Sequence, residues 1–352
     1  MSLTEKIATF DPNNLGQADS NVFGLPFTVD EARLVIVPVP WEVTVSYGGG
    51  TLQGPQAILD ASKQVDLFDP FLPDAWKLGV AMDQIPKKLM TTSRVMRKRA
   101  ETYIAKLEEG KHPDTDSVMA KDRRLIDQAC RAMVDHVEEV TTRHLQAGKM
   151  VALVGGDHST PLGFMKALAA RHREFGVLQI DAHADLRDAY EGFEFSHASI
   201  MFNALKIKQI KKLVQAGIRD YCEAEVDVIR CSKNRVVTFF DRDIKRDLYR
   251  GKTVASVHQT IVKHLPKKVY ISFDIDGLDP VLCPHTGTPV PGGFQFEEAL
   301  HLVQQVAESG RTIIGFDINE VSPREDEWDA NVGARLLFRM VNIMAKSQRV
   351  RI

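Results

Sequence analysis

The chain has 352 residues, 44% hydrophobic and 26% charged, with a formal net charge of −2. These are ordinary globular values, a chain this long buries a core without staples, and no overall basic field draws it to nucleic acid. Its four cysteines, Cys130, Cys222, Cys231 and Cys283, match no zinc-knuckle spacing and no disulfide scaffold. With no apolar leader and no run of about 18 apolar residues, a cytoplasmic protein that does not span a membrane is expected.

Residues 1–32 read as an arm lying over the body. The apolar run Leu34–Val39 follows, then a helical pattern over Pro55–Lys63 and a run over Lys77–Ala81. Asp83–Ser117 is charged, has no buried-strand pattern and ends in the breaker cluster Gly110-Lys111-His112-Pro113-Asp114, so it reads as a helical insertion. Its basic residues (Lys87, Lys88, Arg94, Arg97, Lys98, Arg99) are those of a solvated helix face. A long helix is expected over Lys121–Gln146, the run Met150–Val154 next, and a helix over Pro161–His172. Four further runs are Gly176–Ile180, Lys212–Ile218, Val236–Phe240 and Val269–Phe273, with a helix over Val254–His264. A helix over Phe296–Ser309, the run Thr312–Ile318 and a helix over Asp329–Ala345 complete the chain.

Continuously apolar runs are those of strands buried on both faces of a parallel sheet. Their alternation with helices predicts an α/β fold, a doubly wound, mostly parallel sheet with helices on both faces. Periodicity leaves a barrel open. No internal repeat or low-complexity linker interrupts the chain, and residues 1–352 read as one domain.

Three segments carry chemistry, each after an expected strand, where α/β folds place ligand sites. In Gly155-Gly156-Asp157-His158-Ser159 the glycines are expected to turn the chain sharply and present His158. In Asp181-Ala182-His183-Ala184-Asp185 the alternation puts Asp181, His183 and Asp185 on one side of an extended segment. Asp274 and Asp276 repeat the alternation after Val269–Phe273, while Asp279, before Pro280, shapes a turn. Carboxylates converging at a strand end repel or desolvate badly without a cation. The set His158, Asp181, His183, Asp185, Asp274 and Asp276 is too large and too oxygen-rich for one structural zinc. It suits two divalent ions, Mn²⁺ in preference to Zn²⁺ or Cu²⁺, about 3.5–4 Å apart and able to activate water at neutral pH.

In this order and near these separations, the three blocks resemble the signature blocks of the ureohydrolase (arginase/agmatinase) family. The resemblance runs over roughly residues 33–345, through Gly49-Gly50-Thr51, Phe195-Ser196-His197-Ala198-Ser199 and Phe316-Asp317-Ile318-Asn319-Glu320-Val321. Thr286-Gly287-Thr288-Pro289, with Pro291-Gly292-Gly293 after it, leans towards the agmatinase branch. It implies an arginase-like three-layer sandwich, a commonly trimeric or hexameric homo-oligomer, and cleavage of a guanidino compound to urea and an amine. It also implies that His158, Asp181, Asp185 and Asp274 bind one ion. Asp181, His183, Asp274 and Asp276 would bind the other, with Asp181 and Asp274 bridging. A hydroxide shared by the ions would attack the guanidinium carbon, oriented by Asp185. Glu320 would bind the guanidinium and His197 would deliver a proton to the leaving amine.

Substrate choice is expected in Leu186–Ser196, through Arg187, Asp188, Tyr190, Glu191 or Glu194. An acid there would suit the amine tail of agmatine, giving putrescine and urea. Arg187 would instead suit a carboxylate tail. Guanidinobutyrate, arginine, formimidoylglutamate and guanidine are the alternatives. A non-catalytic metal-binding subunit is the reading of another class, but no ligand, His197 or Glu320 is lost.

Overall fold

The protein was analysed as a computed structural model, which describes residues 3–14, 16 and 19–350. After helix α1 (Leu3–Thr9), strands β1 (Leu34–Val39) and β2 (Val80–Met82) flank α2 (Gly54–Ser62). Two long helices, α3 (Lys87–Glu108) and α4 (Ser117–Gln146), precede β3 (Met150–Gly155). The middle of the chain runs α5 (Leu162–Arg171), β4 (Phe175–Ile180), α6 (Ile200–Leu205), β5 (Ile210–Ile218), α7 (Glu223–Cys231) and β6 (Val236–Phe240). The last third runs α8 (Asp241–Tyr249), α9 (Val254–Lys263), β7 (Lys268–Asp274), α10 (Phe296–Glu308), β8 (Thr312–Asn319) and α11 (Trp328–Ser347).

The strands form one eight-stranded sheet in the order β2-β1-β3-β8-β7-β4-β5-β6. Every pairing is parallel, so the expected mostly parallel sheet is wholly parallel and open, and the barrel is excluded. The expected strand at Lys77–Ala81 is shifted. Lys77 and Leu78 belong to a 3₁₀ turn, Gly79 takes φ 74°, and only then does the chain extend into β2.

Each central strand buries both faces. Ala152 and Val154 of β3 and Val269, Ile271 and Phe273 of β7 pack into one apolar cluster with Ile58 of α2, Ile261 of α9, Val303 of α10 and Leu337 of α11. Val151, Leu153 and Tyr270 point the other way, into a second cluster with Tyr103 of α3, Val137 of α4, Phe164 of α5 and Met201 of α6. Period-two alternation therefore yields three layers. The short edge strand β2 is blunted by the arm: Met82 N–H donates to Asn21 Oδ1 (2.8 Å) and Asn21 Nδ2 donates to Met82 O (3.2 Å).

Register positions the site. Val154 of β3 pairs with Ile318 of β8, Asp274 of β7 with Asn319, and Phe273 with Ile180 of β4. The carboxyl ends of the four central strands are therefore level, and the segments leaving them meet above the middle of the sheet.

Candidate metal centre

The expected turn at Gly155-Gly156 has a different cause. Neither glycine has a positive φ. A Cβ on Gly155 would strike Asn319 Oδ1 and one on Gly156 would strike Trp41 O, so close approach is what demands glycine here. The chain emerging from β3 is thus pressed against the loop after β1 and the end of β8, and His158 is delivered over the sheet edge.

His158 is 1% exposed. Its Nε2 meets Ser272 Oγ at 3.0 Å, and Ser272 Oγ donates to Asp317 Oδ1 at 3.1 Å. That relay aims Nδ1 at three carboxylates: Asp181 Oδ2 at 3.0 Å, Asp185 Oδ2 at 3.0 Å and Asp274 Oδ2 at 3.2 Å. Beside them, His183 Nδ1 lies 3.0 Å from Asp276 Oδ2 and 3.6 Å from Asp181 Oδ1. All six expected ligands are brought together. Backbone amides hold the acids in turn: His183 N–H donates to Asp181 Oδ1 (2.6 Å), Ala182 N–H to Asp276 Oδ1 (3.0 Å) and Asp276 N–H to Asp274 Oδ1 (2.9 Å).

The donors fit divalent ions. His158 Nδ1 is fully buried with no hydrogen-bond partner, although three carboxylate oxygens face it. Two ligand atoms each about 2.0–2.2 Å from one ion, at right angles, lie about 3 Å apart, which is the spacing found. Among the described residues, two overlapping triads have ligand atoms within 4.8 Å of one another, His158–Asp181–Asp185 and Asp181–His183–Asp276. Asp181 belongs to both.

Electrostatics point the same way. Burial drives the Asp274 carboxyl well above the usual range, aided by the charges of Asp276 and Asp181. Burial, with Asp181, lifts Asp185 to about 7. Burial opposes charge on Asp181 and His183 too, yet their mutual attraction wins: Asp181 is held low by His158 and His183, and His183 is raised to about 12 by Asp276 and Asp181. Histidines recruited as cations and acids pushed towards neutrality are the signs of a site short of positive charge, which metal ions supply.

Glu320, expected to hold a guanidinium, lies beside this cluster, 4% exposed with φ 64°. Left-handed backbone on a non-glycine residue costs about 1–3 kcal/mol and persists only when the surroundings impose it. Here Glu320 N–H donates to Gly156 O (2.8 Å), Thr286 Oγ1 donates to Glu320 O (2.8 Å) and His158 N–H donates to Glu320 Oε1 (2.8 Å). Burial, with Asp274 and Asp157, pushes its carboxyl well above the ordinary range.

A cavity of about 140 Å³ opens over His183 and Asp185 and is walled by His197, Arg187, Tyr190, Asp220, Tyr221 and Glu225. His197 is therefore at the site. Burial, helped by His183 and His158, holds its imidazole at about 3, so the ring is neutral. Of the five residues expected to select the substrate, only Arg187 and Tyr190 line the cavity. Asp188 is exposed to solvent, Glu191 turns towards α3, and Glu194 pairs with Arg131 and Lys206. Missed were Asp220, Tyr221 and Glu225, which follow β5. Their one signal was position, just past the carboxyl end of a buried strand.

A model of the arginase family matches residues 32–342. The chain belongs to the arginase family. Its members are hydrolases of amidino C–N bonds, and so is this enzyme. It is 31% identical over 323 residues to an N(1)-aminopropylagmatine ureohydrolase of Thermus thermophilus, covering 92% of this chain and 94% of that one. It is 26% identical to an agmatinase of Bacillus anthracis, covering 85% and 87%. The fold is shared with an agmatine ureohydrolase of Thermoplasma volcanium, with TM-score 0.69 and 22% identity over 99% of this chain and 100% of that one. Proclavaminate amidinohydrolase of Streptomyces clavuligerus shares it too, with TM-score 0.71 and 21% identity over 95% and 100%. Among the described residues no helix is long and apolar enough to cross a membrane.

Proposed function

We propose that this arginase-family chain is a binuclear metal hydrolase that cleaves agmatine to putrescine and urea. The observation that carries the reading is the pair of donor triads sharing Asp181, beside the buried carboxylate of Glu320. His158, Asp181, Asp185 and Asp274 would hold one ion, and Asp181, His183, Asp274 and Asp276 the other. The ions, Mn²⁺ for so oxygen-rich a donor set, supply an activated water and neutralise the carboxylates.

The chain's own residues do the rest. Glu320 takes the planar guanidinium, a cation that draws its raised carboxyl back to the ionised form. Asp185 orients the attacking water over the guanidinium carbon. His197, neutral in the resting site, accepts the proton that water gives up and returns it to the departing amine nitrogen. Water is added, the bond from carbon to the tail nitrogen breaks, and urea and the amine leave.

The tail selects through charge. Arg187 stacks on Tyr190, 4.7 Å from ring centroid to guanidinium, and lies 4.0 Å from Glu225. Glu225, 3% exposed, is itself held by the amides of Leu186 (3.0 Å) and Cys222 (2.9 Å). That pair is balanced, and exposed Asp220 is the carboxylate left to receive an amine. The same opening favours a second reading, an aminopropyl-extended agmatine, because Asp220 sits where a longer tail reaches solvent. On resemblance we take the protein as one domain, a cytoplasmic homo-oligomer.

Mn²⁺-loaded protein should be assayed for urea with agmatine, N(1)-aminopropylagmatine, arginine and guanidinobutyrate. Turnover of an amine-tailed compound well above the carboxylate-tailed ones is expected. Preference for guanidinobutyrate would reassign Arg187 as the anchor, and no urea from any of them would defeat the reading.

A further inference from the structure

The helix α3 looks at first like an idle excursion on the outside of the molecule. Its inner face touches the loop after β1, which forms one wall of the site. Ser93 of α3, fully buried, accepts from Glu42 N–H at 2.8 Å. One turn on, the Arg97 guanidinium donates from the same nitrogen to Val43 O (3.4 Å) and to Val45 O. Its Nε is braced by Glu101 at 3.0 Å, and the Arg97 side chain is only 16% exposed. Between those two carbonyls lies Thr44. Ser46, the next residue along, lines the cavity with His197. The other side of the Val43 peptide is held by Asp157, which accepts Val43 N–H at 3.2 Å.

From this arrangement we infer that Arg97 is a positioning residue for His197: it clamps the Val43 and Val45 carbonyls and so sets the loop whose Ser46 walls the cavity together with the imidazole. The inference depends on the reading of His197 as proton carrier. A guanidinium suits the task, because one of its nitrogens reaches both carbonyls while Glu101 braces its Nε. Arg97 is unlike its neighbours Lys87, Lys88, Arg94 and Lys98, which are exposed to solvent.

The test uses the full chain loaded with Mn²⁺. Arg97→Ala and Arg97→Lys are compared with the wild type for metal content, melting temperature, kcat and KM, and a crystal structure of Arg97→Ala is determined. Misplacing a reacting group by about 1 Å costs on the order of a hundredfold. Both ions should therefore be retained while kcat falls about ten- to a hundredfold in Arg97→Ala, with KM moving less than about threefold. Arg97→Lys should recover part of the loss, and the crystal structure should show residues 43–45 and the His197 ring displaced. Wild-type kcat in Arg97→Ala overturns the inference. So does a loss that comes with released metal or a matching rise in KM, which would make Arg97 a prop for the fold or the substrate. If Arg97→Ala does not fold, Arg97→Lys decides by the same split. If the wild type turns over no guanidino compound, the functional reading has failed, and the crystal structure still decides this one: an undisplaced His197 ring overturns it.

Discussion

Asp181, the residue shared by the two donor triads, is aimed by its neighbours. Its Oδ1 accepts from His183 N–H and its Oδ2 from Gln179 Nε2 at 2.8 Å, while Gln215 Nε2 fixes Gln179 Oε1 at 2.7 Å. Because Asp181 is in both triads and Asp276 in one, the two positions should fail differently. Asp181→Ala should bind less than about one ion per chain, and Asp276→Ala should keep about one. Elemental analysis of saturated protein measures this, and two ions retained in Asp181→Ala would remove the shared ligand from the scheme. Glu320 stands outside both triads. Glu320→Gln should raise KM and lower kcat with both ions kept, since the guanidinium is a cation before and during attack. Wild-type kinetics in that variant would leave no reason to place a guanidinium there. That these six residues converge was legible in the chain, because a buried apolar run ending in alternating acids is hard to satisfy without a cation. His197 was found only through resemblance, and its environment was not legible, since Ser46, which lines the same cavity, comes from the distant loop after β1.

At the scale of elements, seven of the eight strands were visible as apolar runs near their observed positions, because the central ones bury both faces, while β2 was displaced by the 3₁₀ turn before it. Helices α1, α6, α7 and α8 were not. They have 7, 6, 9 and 9 residues, shorter than the window over which a helical period is read. Where α9 meets α10, His258 Nδ1 lies 2.7 Å from His301 Nδ1, and His258 is 1% exposed. Burial, together with His301 and Lys245, lowers His258 to about 4. An unfolded histidine titrates near 6.5. Between these values the unfolded chain takes up a proton that the folded chain refuses, so stability falls as pH drops through this window and is unaffected above it. The slope is about 1.4 kcal/mol per pH unit from this group, about 3 kcal/mol in all. Denaturation midpoints from pH 7 to 4 should therefore fall more steeply for the wild type than for His258→Gln. Parallel curves would show that the pair does not resist protonation.

For the molecule as a whole, the proposed metal centre would couple chemistry to stability. Four carboxylates and two histidines are packed at the junction of β3, β8, β7 and β4, and ions that bind only the folded chain stabilise it by mass action, about 4 kcal/mol at a thousandfold excess over Kd. Chelation should lower the melting temperature by several degrees, about 2–4 °C per kcal/mol for a chain of this size or somewhat less. Restoring Mn²⁺ should reverse the shift, and a melting temperature indifferent to chelator would mean that the carboxylates tolerate one another unaided.

The strand order carries a consequence for synthesis. β3 and β4 leave the ribosome with one helix between them, yet in the finished sheet they are separated by β7 and β8, which begin at Lys268 and Thr312. Until those arrive, a nascent chain carries two half-sheets with a slot two strands wide between them, both rims unpaired and apolar. The slot closes only when the last strand slides in between β3 and β7. A ribosome stalled before Lys268 would hold a sticky, metal-incompetent intermediate, the species a chaperone would have to shield.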